Sequence, residues 1–308
     1  MPVLNEEKHL QQAVASVFAQ EIPSGFSAEV ILALGPSSDQ TDSVATALSK
    51  SHKNLKTVAN PSGLTSAGLN LAIGLATGDV IVRVDAHSKL TAGYVKTAVE
   101  ILESNSKIGN VGGVMLAEGE DDFTSAVAWA YRSRYGLGGG KFHTGGEAGP
   151  VDTVYLGVFR KSVLLEAGLF DQAVVRGQDW ELNQRIRALG HLVWFDPRLE
   201  AVYQPRSSWK ALASQFHKTG LWRGKLSRKD LSNVSAKYLA PPLLVILTVF
   251  FIPLWFYLVA IGVIALTAKL PGSTKVYLML VLPTMHYTWG VGFIAGALFP
   301  DLAKPGDQ

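Results

Sequence analysis

Cysteine is absent from the 308 residues, which excludes disulfides and thiolate metal sites and leaves any metal to oxygen and imidazole ligands. An excess of one charge is also lacking. Against 25 Asp and Glu stand 28 Lys and Arg, and a formal net charge of +3 is too mild for a phosphate-tracking surface, so no nucleic-acid partner is expected. The opening residues, Met1-Pro2-Val3-Leu4-Asn5-Glu6-Glu7, lack the basic flank and apolar run of a secretory signal, so the first domain is expected to remain cytoplasmic. Internal repeats and low-complexity tracts are missing too. Bilayer-length apolar runs occur only in the last quarter, from Leu239 to Leu266 and from Val276 to Phe299.

Up to about residue 205, short apolar runs alternate with helix-periodic ones, the pattern of a β-α-β protein. Leu10, Val14, Val17 and Phe18 share a helical face, and Glu29 to Leu34 reads as a buried strand. Leu64, Leu71 and Leu75 mark a second helix, followed by a strand from Asp79 to Val84. Further strands are predicted at Ile108 to Leu116, Thr153 to Phe159 and Leu192 to Phe195, and helices near Thr91 to Leu102, Phe123 to Tyr135 and Asp179 to Leu189. The fold class is therefore α/β, a mostly parallel, Rossmann-like sheet flanked by helices, with ligands at the carboxyl ends of the strands.

Three domains are expected: residues 1–205 as the catalytic domain, 206–238 as a basic amphipathic interfacial segment, and 239–308 as a membrane anchor of two spans, or three. In the middle segment Arg206, Lys210, His217, Lys218, Arg223, Lys225, Arg228, Lys229 and Lys237 are interleaved with Trp209, Phe216 and Trp222. Such a cluster binds anionic headgroups and is retained on the cytoplasmic side, which predicts a multi-pass protein of the cell membrane with a cytoplasmic catalytic domain. Pro253 kinks the first apolar run, and His286, flanked by Tyr287 and Trp289, fits an interfacial belt rather than a catalytic place.

Two motifs carry chemistry. Val80-Ile81-Val82-Arg83-Val84-Asp85-Ala86-His87 is an apolar strand ending in two ligand-type residues. In extended backbone positions i and i+2 face the same side, so Asp85 and His87 can address one cation, with Mn²⁺ suited somewhat better than Mg²⁺. A divalent ion there would neutralise diphosphate oxygens. In Arg176-Gly177-Gln178-Asp179-Trp180-Glu181-Leu182, a glycine precedes a helical pattern, which puts Asp179 near a helix N-terminus. A carboxylate there is either an ordinary N-cap or a general base for an acceptor hydroxyl, with Glu181 a candidate for binding acceptor hydroxyls. Arg176 and Arg185 are the cations available to pair with these acids.

The ordered set Pro2-Val3-Leu4-Asn5-Glu6-Glu7, Gly35-Pro36-Ser37-Ser38-Asp39-Gln40-Thr41, Asn60-Pro61, Asn70, Asp85-Ala86-His87 and Gln178-Asp179-Trp180-Glu181-Leu182 resembles family 2 glycosyltransferases of the GT-A fold, and within them the succinoglycan-type exopolysaccharide enzymes. The likeness runs over about residues 1 to 225 and extends to C-terminal membrane helices. It implies that Pro2, Asn5 and Glu6 line the nucleotide pocket and that Asp85 and His87 stand where the family's Asp-x-Asp metal motif stands. It also implies that Asp179 is the base of an inverting transfer from a nucleotide-diphosphate sugar to a lipid-linked or polysaccharide acceptor. Asp39 and Asn70 join the donor side, Trp222 and Arg223 the acceptor side.

Two departures accompany the resemblance. Relatives usually carry an apolar strand before the Pro-x-x-Asn-Glu segment, so either the start is misassigned or the sheet lacks an inner strand. Relatives also place an Asp where this chain has Leu34-Gly35, and Asp39 aligns with a later loop position. The alternative these departures favour is a catalytically impaired sugar-binding or scaffolding membrane protein. The glycine-rich run Gly136 to His143 is not a P-loop, since Lys141 is followed by neither Ser nor Thr, and is expected to be either a mobile acceptor-side loop or a plain flexible connection.

Overall fold

Pro2–Val3 forms a two-residue strand, β1, parallel to β2 (Val30–Leu34), which is parallel in turn to β3 (Leu55–Ala59). The connections contain α1 (Leu10–Phe18) and α2 (Thr41–Ser51), and α3 (Thr65–Leu75) follows β3; parallel neighbours require crossovers of this kind. The computed structural model describes residues 1–229, 238–250 and 253–303. Two compact units divide the chain: Met1–Leu116 with Gly145–Tyr203, and Ala117–Thr144 with Gln204–Gln308.

The rest of the first unit is built on a second sheet. Its strands are β4 (Val80–Val82), β5 (Ser88–Leu90), β6 (Ile108–Ala117), β7 (Gly149–Pro150), β8 (Tyr155–Arg160) and β9 (Leu192–Tyr203). They run in the order β4-β8-β6-β9-β5, with β7 on β9. Parallel pairing, expected for most of the sheet, joins β1, β2 and β3; β4 with β8, β6 with β8, β5 with β9 and β7 with β9 are antiparallel. The α/β class with a parallel sheet holds, and the mixture arises because β8 and β9 enter beside strands that no single β-α-β crossover links to them. Strand β9 runs on to Tyr203, well beyond Phe195. Pro197 does not end it, because the proline lies between the part paired with β7 (Trp194, Phe195) and the part paired with β5 (Ala201 to Tyr203).

Between β2 and β4 the two sheets share no ladder. An apolar cavity of about 280 Å³ lies there, lined by Val30, Ile31, Leu69, Ile73, Val80 and Val82 among others. The main core is continuous around it: Val3, Leu32, Tyr94 and Leu102 pack with Ile108, Val158 and Leu199. Helix α4 (Tyr94–Ser104) buries Tyr94, whose hydroxyl donates to the Leu156 carbonyl at 2.7 Å. The remaining helices of this unit are α7 (Lys161–Glu166) and α8 (Gln178–Ala188), with α5 (Asp122–Tyr131) and α6 (Lys141–Thr144) preceding them in the chain but belonging to the second unit.

In the second unit α5 starts with a capping box, in which the Asp121 carboxylate accepts from the Thr124 amide at 2.7 Å. The basic segment forms α9 (Trp209–Lys229), followed by α10 (Ala240–Phe250), α11 (Leu254–Thr267), α12 (Gly272–Leu298) and a short 3₁₀ turn, Pro300–Leu302. Among the described residues one helix, α12 with 27 residues, is long and apolar enough to cross a membrane. Two or three spans are not supported: α10 has 11 residues and α11 has 14, about 16 and 21 Å at 1.5 Å per residue against a core of about 30 Å. Helix α9 packs along α12, backbone to backbone. A methyl group on Gly220 would meet the Trp289 carbonyl, and one on Gly296 the Leu221 carbonyl. Lys237 of the expected basic segment lies outside the described residues.

Candidate active site

Strand β4 stops at Val82, and the backbone then turns instead of continuing extended. The Arg83 amide still donates to the Gly157 carbonyl at 3.1 Å, and the Ser88 amide closes a turn onto the Asp85 carbonyl at 2.9 Å. Asp85 and His87 therefore do not share a strand face, contrary to the i, i+2 argument, but they stay close through the turn. His87 points its Nδ1 at Glu6 Oε1, 2.8 Å away, and sets its ring edge-on to Tyr203. Asp85 is taken by Arg83, whose Nε and Nη2 both donate to Oδ1, at 3.2 and 2.9 Å.

Asp179 reaches the same place from α8. The N-cap of that helix is Gly177 at φ +80°, a left-handed conformation that costs a side-chain-bearing residue about 1 kcal/mol or more, and no side chain caps the helix. Asp179 is thus not the N-cap; it lies in the first turn with its carboxylate directed away from the helix amides. The helix is anchored below by Asn183, which accepts from Asn110 Nδ2 at 2.8 Å and donates to Thr153 Oγ1 at 2.9 Å. So fixed, Asp179 Oδ1 accepts from Arg83 Nη1, and one buried guanidinium joins two carboxylates that are 94 residues apart in sequence, since 179 − 85 = 94. Arg185, one of the cations considered for this acid, pairs with Glu181 instead.

The two acids respond in opposite senses. Burial alone would raise the Asp85 carboxyl, but Arg83 and then His87 hold it below its ordinary value. Burial raises the Asp179 carboxyl, Arg83 opposes this, and the negative charge of Asp85 adds to the rise. A carboxylate with raised proton affinity beside one held ionised is the division of labour expected of a base and a cation ligand. The Asp179 side chain is 37% exposed, so its carboxylate is half-buried, desolvated on the side of Arg83 and Asp85 and not sealed from solvent.

Other residues expected at the site are placed as follows. Asn5, at φ +55°, accepts from the Ser38 amide at 2.8 Å, and its own amide donates to Ser37 Oγ, which ties the loop after β1 to the loop after β2. The Glu6 amide donates to Thr41 Oγ1 at 2.7 Å, leaving its carboxylate for His87. Pro2 is paired with Ala33 in the ladder. Asp39 is engaged by Thr41 and by the Glu7 amide, and these hydrogen bonds, Thr41 first, hold it below its ordinary value; it organises the start of α2. Space at Gly35 is tight, because a Cβ there would lie 3.1 Å from Leu4 Cδ1 and 3.2 Å from the Val3 carbonyl and the neighbours would have to give by a few tenths of an ångström.

Asn70 is occupied with backbone, donating to the Phe170 carbonyl at 2.8 Å and accepting from the Phe170 amide at 3.0 Å. Glu181 is held by the fork of Arg185, at 2.7 and 2.6 Å, so both of its oxygens are engaged within α8. In the second unit Trp222 is 2% exposed with Lys225 Nζ 4.9 Å over its ring, and Arg223 covers the Tyr238 ring at 4.4 Å; these are packing contacts that leave the indole no open face. His286 uses both ring nitrogens structurally, Nε2 donating to the Tyr135 carbonyl at 2.7 Å and Nδ1 accepting from the Tyr257 hydroxyl at 2.8 Å.

Sequence reasoning assigned no role to Arg83. The signal was present: a lone cation between Val82 and Val84, in an apolar strand, has to be buried and therefore has to find carboxylates. Among the described residues no three His, Asp or Glu side chains converge as a ready-made metal cage. The donor set still fits a divalent ion shared with a substrate, since such an ion commonly takes one or two protein ligands and completes its shell with phosphate oxygens and water. Both guanidinium bonds to Asp85 fall on Oδ1, and the carboxylate has a second oxygen.

Comparison with known proteins agrees with this architecture. A curated relative from Methanococcus voltae, dolichyl N-acetyl-alpha-D-glucosaminyl phosphate 3-beta-D-2,3-diacetamido-2,3-dideoxy-beta-D-glucuronosyltransferase, is 26% identical over 309 residues, covering 97% of this chain and 96% of the relative. Succinoglycan biosynthesis protein ExoA of Rhizobium meliloti (strain 1021) is 27% identical over 243 residues, 78% of this chain and 73% of that protein. Among solved structures, the mannosyltransferase PcManGT from Pyrobaculum calidifontis, in complex with GDP-Man and Mn²⁺, superposes with a TM-score of 0.60 at 18% identity, over 97% of this chain and 86% of its own. S. aureus TarS 1-349 gives a TM-score of 0.53 at 15% identity, over 98% and 90%. These structural likenesses bear on the fold, which is GT-A. The model of glycosyl transferase family 2 matches residues 1–166, more than half of the sequence, and the chain belongs to that family.

Proposed function

We propose that this glycosyltransferase moves a sugar, with inversion, from a nucleotide-diphosphate donor to a lipid-linked or polysaccharide acceptor, with Asp179 as general base and a divalent cation, Mn²⁺ or Mg²⁺, held by Asp85 and His87. The observation that carries the reading is the meeting of Asp85 and Asp179 around Arg83 at the carboxyl end of β4. The names of the two curated relatives support the acceptor class, and the Mn²⁺ and nucleotide sugar of the mannosyltransferase complex support the donor and the cation.

When bound, the cation would neutralise the diphosphate oxygens and so stabilise the leaving group. Every other task falls to side chains. The Asp179 carboxylate takes the proton of the acceptor hydroxyl as its oxygen attacks the anomeric carbon. The new C–O bond forms as the bond from that carbon to the β-phosphate oxygen breaks, and the nucleoside diphosphate departs with the electron pair. Asn5 shapes the two loops beside the site through Ser37 and Ser38, and Glu6 orients His87 through Nδ1, as a carboxylate commonly does for a metal-binding imidazole. Membrane attachment through α12, which has the length and hydropathy for it, would keep the enzyme at the surface where lipid-linked acceptors reside.

The test is a screen of nucleotide sugars, with and without Mn²⁺, using membrane extract as acceptor. Transfer of one sugar that requires the divalent ion is the expected result. Tight donor binding with no transfer under any condition would favour the sugar-binding or scaffolding alternative instead.

A further inference from the structure

Arg83 touches both acids of the site, and its geometry leaves it little freedom. Its backbone is held by the Gly157 carbonyl, and its side chain is only 7% exposed. The guanidinium is a rigid planar fork whose five N–H groups point in fixed directions. Two of them meet Asp85 Oδ1 and a third meets Asp179 Oδ1. The order and separation of the two carboxylates are thus set by the guanidinium plane, which bonds directly to both.

We infer that Arg83 is a positioning residue that both fixes the Asp179 base and competes with a divalent cation for Asp85. The inference rests on the assignment of Asp85 as ligand and Asp179 as base. Two carboxylates around one guanidinium carry a net negative charge that favours a cation, while the guanidinium itself repels one. An ion arriving at Asp85 shares that carboxylate with Arg83 or pushes it off. In the second case Asp179 becomes the only carboxylate left to the fork, and the base is gripped more firmly once the cation is in place. Cation loading and base alignment are then one linked event, and an empty site has the charge of its two acids half offset by an internal counterion. Lysine cannot replace arginine here, because a single ammonium cannot address both carboxylates in a fixed plane.

Mn²⁺ binding to the full chain without donor, followed by the loss of the free-ion EPR signal, separates the possibilities, read beside steady-state kinetics and thermal melting. Arg83→Gln is expected to bind Mn²⁺ about tenfold tighter, because the competing positive charge is gone, and to lose about 100-fold in kcat with little change in donor KM. Arg83→Lys keeps the charge but not the fork, so Mn²⁺ affinity stays near wild type while kcat falls. A purely structural arginine would lower melting temperature in both variants without moving Mn²⁺ affinity in either. Mn²⁺ binding that is lost in Asp85→Asn yet unchanged in Arg83→Gln overturns this inference alone. Equal binding in wild type and Asp85→Asn removes the ligand assignment and overturns both. Should Arg83→Gln fail to fold, Arg83→Lys carries the test: wild-type kcat in that variant is the refuting result.

Discussion

Replacing Asp179 by Asn exchanges one oxygen for an amide nitrogen in a side chain of the same shape, so the perturbation is chemical rather than steric. Arg83 is not stranded by it, because Asp85 Oδ1 still accepts from Nε and Nη2 at 3.2 and 2.9 Å. The loss of a carboxylate from the first turn of α8 removes a favourable interaction with the helix dipole, worth about 0.3–1 kcal/mol. The charged contact with Arg83 is also weakened, but relief of burying the charge and of its repulsion by Asp85 outweighs that contact, as the raised carboxyl indicates, so a net stability change of about 1 kcal/mol or less is expected. The catalytic loss is far larger. A positioned general base contributes about 10²- to 10⁴-fold, or roughly 3–5 kcal/mol of barrier, at 1.36 kcal/mol per decade. The assay is incorporation of labelled sugar under saturating donor, beside donor affinity by calorimetry and melting by circular dichroism. The expected variant melts within a few degrees of wild type, binds donor normally and transfers at least about 100-fold more slowly. Turnover within about threefold of wild type, in a protein with the same melting point, would refute the assignment of the base.

Four further outcomes follow from the same geometry. His87→Ala should weaken Mn²⁺ binding and raise the Mn²⁺ concentration needed for half-maximal rate by about 10-fold or more, as measured by metal titration of activity and of binding. Because burial, and then Asp85, raise the Asp179 carboxyl against the opposition of Arg83, the acid limb of kcat/KM should lie above the value of an unperturbed Asp, with activity falling as pH drops through the raised value. Stability moves the other way for that group: a raised folded-state carboxyl stabilises the fold below its unfolded value, and the contribution is lost as pH rises through the folded one. Asp85, which is depressed, stabilises above its unfolded value and stops doing so as pH falls through the folded one; chemical denaturation across pH measures both. Gly177→Ala forces a Cβ into φ +80° and should cost about 1–2 kcal/mol while displacing Asp179, visible as a fall in both melting temperature and kcat.

The legibility of the chain followed the range over which each decision is made. Strands at Val30–Leu34 and Tyr155–Arg160, and the helix from Gln178, were readable because hydrophobic period and a preceding glycine are local signals. Which strands pair, and in which direction, is decided by the whole sheet. That is why parallel pairing was extended beyond β1, β2 and β3. The i, i+2 argument for Asp85 and His87 failed in its premise, because Asp85 to Ser88 is a turn closed by the Ser88 amide, and a turn was not marked there by glycine or proline. Asp39, Asn70 and Glu181 looked like ligand residues by type and position, yet each finds its partner within the protein: Thr41, the Phe170 backbone and Arg185. A polar residue in a sequence does not announce whether the fold or a ligand will satisfy it. Arg83 is the converse case, since a cation inside an apolar strand has few outcomes other than a carboxylate pair.

A crystal structure of the full chain with Mn²⁺ and a nucleoside diphosphate tests the central claim directly, by locating the metal in anomalous difference density. The account predicts one strong peak ligated by Asp85 and His87 and by the diphosphate, with the Asp179 carboxylate across an open space from it and still in contact with Arg83. A nucleotide bound with no metal at Asp85, or a metal whose diphosphate lies away from Asp179, would contradict it.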